Sequence, residues 1–189
     1  MSSAAASVVG PSVYLRPLER ADLNERYLGW LNDPEVARYL ESRTSPYTMQ
    51  RLVDFYESVI AAPHNLFSAI IEKQGNQHIG NVKLAPISLV HKRATFGLLI
   101  GDKNFWGRGV GTEVTHLTVQ YGFNQLNLHR INLGVFADHT SAVRSYEKVG
   151  FKIEGRLRES AFHEGTFKDT LLMGLLRSEY RPEKVFGPK

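Results

Sequence analysis

The chain has 189 residues, 42% hydrophobic and 22% charged, which bounds it to one globular domain with a real core. It holds no cysteine, so disulfides, thiolate metal sites and cysteine nucleophiles are excluded, and the composition suits a reducing cytoplasm. A formal charge of +4 and a pI of about 9.3 favour anionic ligands; the basic residues are dispersed, which argues against nucleic acid, and no apolar run nears the roughly 20 residues of a membrane span.

Residues 1–12 are small and lack a signal-peptide pattern, so a disordered N-terminal tail is expected there. Alternation over 13–18 predicts a first strand that stops at Pro17. Leu23, Tyr27, Trp30 and Leu31 share one helical face, and Asn32-Asp33-Pro34 then breaks the chain, with Asp33 as cap of a short further turn. Thr48 caps the next helix, in which Leu52, Phe55, Tyr56, Val59 and Ile60 recur at helical spacing until Pro63. Strands over 66–73 and 78–87 flank Gly75-Asn76, a hairpin signal, and a third strand runs over 93–100.

The sequence Phe105-Trp106-Gly107-Arg108-Gly109-Val110-Gly111-Thr112 follows directly and leads into a helix with Val110, Val114, Leu117 and Tyr121 on one face. Strand, glycine-rich turn, helix is an order that leaves backbone N–H groups at a positive helix end, where a phosphate or pyrophosphate fits. It is neither a P-loop nor the dinucleotide spacing. A strand over 129–136 comes next, then a helix to Val149 capped by Asp138 or Thr140, with Gly150 as its C-terminal stop. The last two strands, from Phe151 and over 167–176, turn at Glu164-Gly165. The two turns at the ends of neighbouring parallel strands lie where α/β sheets place ligands. The seven histidines show no metal-ligand spacing, so no metal site is expected.

The segment over 93–176 resembles the acetyl-CoA-binding core of the GNAT N-acetyltransferase superfamily. The likeness is to the branch holding spermidine, ribosomal-protein N-terminal and amino-sugar acetyltransferases. It is carried by 105–112, Asn127-Leu128-His129-Arg130, 141–151 with Tyr146, and 155–169; weaker likeness in Trp30-Leu31-Asn32-Asp33-Pro34 and His78-Ile79-Gly80-Asn81-Val82 extends it over most of the chain. The resemblance implies an α+β fold in a single domain over 13–180: a mixed sheet of about seven strands with about four helices, and a C-terminal tail over 181–189.

By position, the resemblance implies that Trp106, Gly107, Arg108, Gly109, Val110, Gly111 and Thr112 hold the CoA pyrophosphate. Leu98, Leu99 and Ile100 would bond the pantetheine arm, with a backbone N–H near Ile100 polarising the thioester carbonyl. Tyr146 would protonate the leaving thiolate, since a phenol with a reference pKa of about 10 keeps its proton. His139 stands where the family often has an asparagine against pantetheine, and its charge would depend on pH; Ser141 completes the cofactor set. Thr95 stands where the family often has a glutamate. The amine's proton would then go to water or to Glu35, Glu41 or Glu72. Trp30, Asp33, Glu35 and Glu41 are the candidates for the acceptor site.

The function implied is acetyl-CoA-dependent transfer of an acetyl group to a primary amine, by direct attack in a ternary complex. The acceptor is expected to be a small molecule such as an amino sugar or a polyamine. A protein N-terminus as acceptor, and a non-catalytic CoA sensor on the same fold, stay open. Neither nucleic acid nor membrane is expected as a partner, a homodimer is allowed, and the expected location is the cytoplasm.

Overall fold

The computed structural model describes residues 8–40, 46–62, 64–163 and 165–184. One sheet of eight strands runs through the molecule in the order β1-β2-β3-β4-β5-β6-β8-β7. Its strands are β1 (Val8–Val9), β2 (Val13–Pro17), β3 (Leu66–Glu72), β4 (Gln77–Ser88), β5 (Arg93–Ile100), β6 (Arg130–Phe136), β7 (Lys152–His163) and β8 (Thr166–Leu176). The four α-helices are α1 (Glu25–Asn32), α2 (Met49–Ala61), α3 (Val110–Asn124) and α4 (Thr140–Val149). The extra strand over the expected seven is β1, which lies inside the segment read as tail and pairs with Leu15 and Tyr14 at the sheet edge. The turn at Pro63 and residue Glu164 lie outside the described residues.

All neighbouring strands are antiparallel except β5 and β6. The α3 crossover between them demands parallel strands, because only a long connection can return the chain to the same end of the sheet.

Alternation along each strand sorts side chains onto two faces. Ile70, Val82, Leu84, Phe96, Ile131, Leu133, Met173 and Leu175 pack one face against Val110, Val114 and Leu117 of α3 and Tyr146 and Val149 of α4. Ala69, Ile71 and Leu99 turn to the other face, under Tyr27, Trp30 and Leu31 of α1 and Leu52 of α2. The second face is covered only as far as β5; beyond it Leu157 and Leu172 stay exposed.

Local caps follow the sequence in most places. Asn24 accepts from Arg26 and Tyr27 N–H at the start of α1, and Thr48 from Arg51 N–H at the start of α2. Gly150 stops α4 at φ +110°. The start of α4 differs from expectation. His139 is its N-cap, and neither Asp138 nor Thr140 caps it. The Asp138 carboxylate instead receives the Lys168 ammonium at 2.9 Å from β8.

Candidate active site

The site begins with a fork in the sheet. Strands β5 and β6 pair only through Arg93–Arg130, Ala94–Ile131 and Thr95–Asn132. Past Thr95 they separate, although β5 continues to Ile100 and β6 to Phe136. Asn132 Nδ2 donates to Thr95 Oγ1 at 3.2 Å in the crotch of the fork.

The edge of β5 along that gap can be read from its pairing on the other side. Gly101 N–H donates to Ile79 O at 2.9 Å, which makes that pair hydrogen-bonded; in the same register the next such pair is Asn81–Leu99. Antiparallel ladders alternate, so Leu98 and Ile100 turn their backbone groups away from β4 and into the gap. Leu99 does not: its backbone faces β4 and its side chain packs beside Trp30. Of the three residues expected against pantetheine, two therefore offer backbone groups along the gap. The Ile100 carbonyl takes the Trp106 indole N–H at 2.8 Å, which ties the glycine turn to the strand end.

The turn itself is open. Gly107 and Gly109 have φ of +71° and +81°, and a Cβ built on either meets no atom within 4 Å. Glycine is needed here for the left-handed dihedrals, and the space where side chains would stand is free for a ligand. Gly109 is the N-cap of α3, so the N–H groups of Val110, Gly111 and Thr112 start the helix and face this space without intrahelical partners. Glu113 in that first turn does not oppose an anion there; its carboxylate accepts from Ser12 and Val13 N–H on the far side. These features fit the pyrophosphate of CoA. Arg108 is exposed, with its guanidinium 5.9 Å from the Phe105 ring.

Helix α4 closes the other side. Ser145 Oγ and Thr112 Oγ1 lie 2.6 Å apart and join the body of α4 to the first turn of α3. Tyr146 packs edge-on to Phe96, with ring centroids 5.8 Å apart, and against Phe151. Burial pushes its phenol up to about 12, and its hydroxyl bonds to no described side chain or backbone group. Ser141 is exposed in the first turn of α4. His139 stacks on Tyr39 at 3.8 Å with the rings within 10° of parallel. Burial, with Arg38 nearby, lowers its pKa to about 4 against the pull of Asp138, so the ring is neutral at pH 7. The pH-dependent charge expected from sequence is thus moved out of the neutral range.

The described acceptor candidates are each held by neighbours of their own. Trp30 is a buried packing residue: a Cβ at Gly101 would lie 2.0 Å from its indole, and its ring stands 5.1 Å from that of His78. Asp33 accepts from Glu35 and Val36 N–H, and its carboxylate pairs with Lys103 at 2.8 Å. Lys103 also pairs with Glu35 at 3.0 Å. Glu72 receives Gln74 and Gly75 N–H in the β3–β4 hairpin. Glu41 lies outside the described residues. Sequence reading missed what surrounds the fork: the Thr95–Asn132 bond, the Trp106 brace, the Tyr39–His139 stack and Lys83 beside Gly97. Each joins residues far apart in the chain, so no local pattern announces them.

Residues 12–152 match the family described as acetyltransferase (GNAT) domain. The spermidine N(1)-acetyltransferase of Escherichia coli (strain K12) is 35% identical over 176 residues, covering 91% of this chain and 90% of that protein. An uncharacterised N-acetyltransferase, p20 of Bacillus licheniformis, is 30% identical over 88% of this chain and 93% of its own length. Among solved structures, spermidine N-acetyltransferase from Vibrio cholerae in complex with CoA and spermine superposes with a TM-score of 0.81. It is 30% identical and covers 89% of this chain and 98% of that one.

Proposed function

The chain belongs to the GNAT acetyltransferase family and uses acetyl-CoA as donor for N-acetylation, and on that premise we propose that the fork between β5 and β6 is its reaction centre, with a small-molecule primary amine as acceptor. The observation that carries this reading is the unpaired edge of β5. It runs from the crotch at Thr95 to an open, positively polarised glycine turn, with a protonated phenol beside it.

Acetyl-CoA supplies the acyl group as a thioester. In this reading, the N–H groups of 107–112 bind the pyrophosphate, and Trp106 holds the turn against Ile100. The gap-facing N–H groups of Leu98 and Ile100 and the Leu98 C=O orient the pantetheine arm and aim a donor at the thioester carbonyl. The amine nitrogen bonds the acetyl carbon as the carbon–sulfur bond breaks. Tyr146 gives its proton to the departing sulfur, and its raised pKa keeps that proton in place until a thiolate forms beside it. With Glu35 held by Lys103 and Glu72 by its hairpin, water at the open side of the fork or Glu41 takes the amine's proton. Positioning of two bound substrates carries much of the rate.

The relatives' names bring spermidine to this chain as the first acceptor to test. The assay follows release of CoA thiol from acetyl-CoA with a panel of spermidine, amino sugars and short peptides. The chain has no cysteine, so a thiol reagent reports CoA alone. Turnover of a small amine is the expected result. A preference for peptide N-termini would overturn the acceptor assignment, and loss of any melting shift with acetyl-CoA would overturn the site.

A further inference from the structure

A buried tyrosine ordinarily fixes its hydroxyl with a hydrogen bond. Tyr146 is buried, and its hydroxyl makes no such bond to a described residue. Its orientation is therefore set by ring packing, and two rings supply it. Phe96 stands 5.8 Å from it between centroids with the planes 80° apart, and Phe151 stands 6.0 Å away at 59°. The two phenylalanines also meet each other at 6.3 Å, and all three rings belong to the core under α3 and α4.

The two rings differ in where they are anchored. Phe151 follows the Gly150 stop of α4, and its N–H donates to the Tyr146 carbonyl at 3.1 Å, so it travels with the helix that carries the phenol. Phe96 belongs to β5. It is the first residue past the last β5–β6 pair, Thr95–Asn132, and on its other side it pairs with the fully buried Leu84 of β4. Leu98, whose N–H faces the gap, comes two residues later on the same strand. One strand thus carries both the backbone donors of the fork and the ring on which the phenol rests. A contact near a right angle between rings is directional, because a positive rim meets a negative face; an aliphatic side chain of similar size imposes no such plane.

We infer that Phe96 is a positioning residue for acetyl transfer: its ring, fixed to β5 where the fork opens, keeps the Tyr146 phenol in register with the gap-facing N–H groups of that strand. The inference rests on the reading of Tyr146 as the acid. An acid must come within about 3 Å of the atom it protonates, and a misplacement of about 1 Å can cost about 10²-fold in rate.

The test is a double-mutant cycle on the full chain, read as the single-turnover rate of acetyl transfer from acetyl-CoA to spermidine, or to whichever small amine of the panel above turns over. We expect Tyr146→Phe to slow this step about 10²-fold. Phe96→Leu should slow it about tenfold and leave the acetyl-CoA concentration for half-maximal rate within about twofold. In the Tyr146→Phe background, Phe96→Leu should change the rate by less than about twofold, because the group it positions is gone. Phe123→Leu is the control for packing alone. It makes the same substitution in the same core, where the Phe123 ring lies against Tyr180, and should lower the melting temperature without slowing transfer. Phe96→Met, which keeps more of the side chain's reach, stands in if Phe96→Leu does not fold, with the same expected pattern. Equal losses from the Phe96 change in both backgrounds, a comparable loss in Phe123→Leu, or an unslowed Phe96 variant would overturn the inference. An unslowed Tyr146→Phe would instead overturn the acid assignment, so the two failures are separable.

Discussion

At the scale of single residues, two buried titratable side chains make testable predictions. Tyr146 is expected to keep its proton at every working pH, because burial holds its pKa at about 12. Tyr146→Phe should lower kcat by about 10²-fold while acetyl-CoA binding persists, as removal of a general acid would do. Comparing kcat with the melting shift in acetyl-CoA checks this. His139 makes a pH prediction for stability. Its pKa falls from 6.5 to about 4 on folding, so the unfolded chain takes the proton first as pH drops. The stability it contributes is complete above about pH 7 and is lost between about 6.5 and 4. His78 and His116 are shifted the same way by burial and add to that slope. Melting temperature should therefore fall across this window, and His139→Gln should flatten part of the fall.

At the scale of elements, the glycine turn and its helix act together. Gly109→Ala puts a Cβ on a left-handed residue and should cost about 1–2 kcal/mol, read as a lower urea midpoint. The same Cβ projects into the open cradle, so KM for acetyl-CoA should rise as well. The turn and its helix were legible in sequence, because three glycines before an apolar helical stripe is a local pattern. So was β5, whose observed bounds are those its alternation gives. β1 was not: Val8–Val9 has no periodicity, and only its partners Tyr14 and Leu15 make it a strand. The cap of α4 was misread because Lys168, thirty residues away in the chain, takes the Asp138 carboxylate. The setting of two acceptor candidates was hidden for the same reason. Asp33 and Glu35 look free in sequence, and Lys103 reaches them from beyond β5.

At the scale of the molecule, one core under α3 and α4 spans both halves of the sheet, so the fork opens without dividing the domain. The N-terminal edge is fastened to the same helix. Glu113, buried, accepts from Ser12 N–H at 2.8 Å and Val13 N–H at 3.1 Å, and Ser12 Oγ donates to it at 2.5 Å. Glu113→Ala should cost about 2–3 kcal/mol by denaturant titration, since two backbone donors lose a charged acceptor. A second tie is the pair of Arg16 nitrogens on Asp22, each at 2.7 Å. Burial works to raise the Asp22 pKa, but Arg16 and the Glu19 N–H hold it below the usual carboxylate value. Its share of stability is accordingly lost only in acid.

The unpaired stretch of β5 also makes two amides into a timer. The Leu98 and Ile100 N–H groups point to a side where no strand meets them, while their neighbours are locked to β4. In heavy water those two hydrogens should exchange early, and a donor seated along the strand should slow them without touching the neighbours. The mass of a single peptide spanning 96–100 would then count filled sites directly, in a protein whose turnover has not begun.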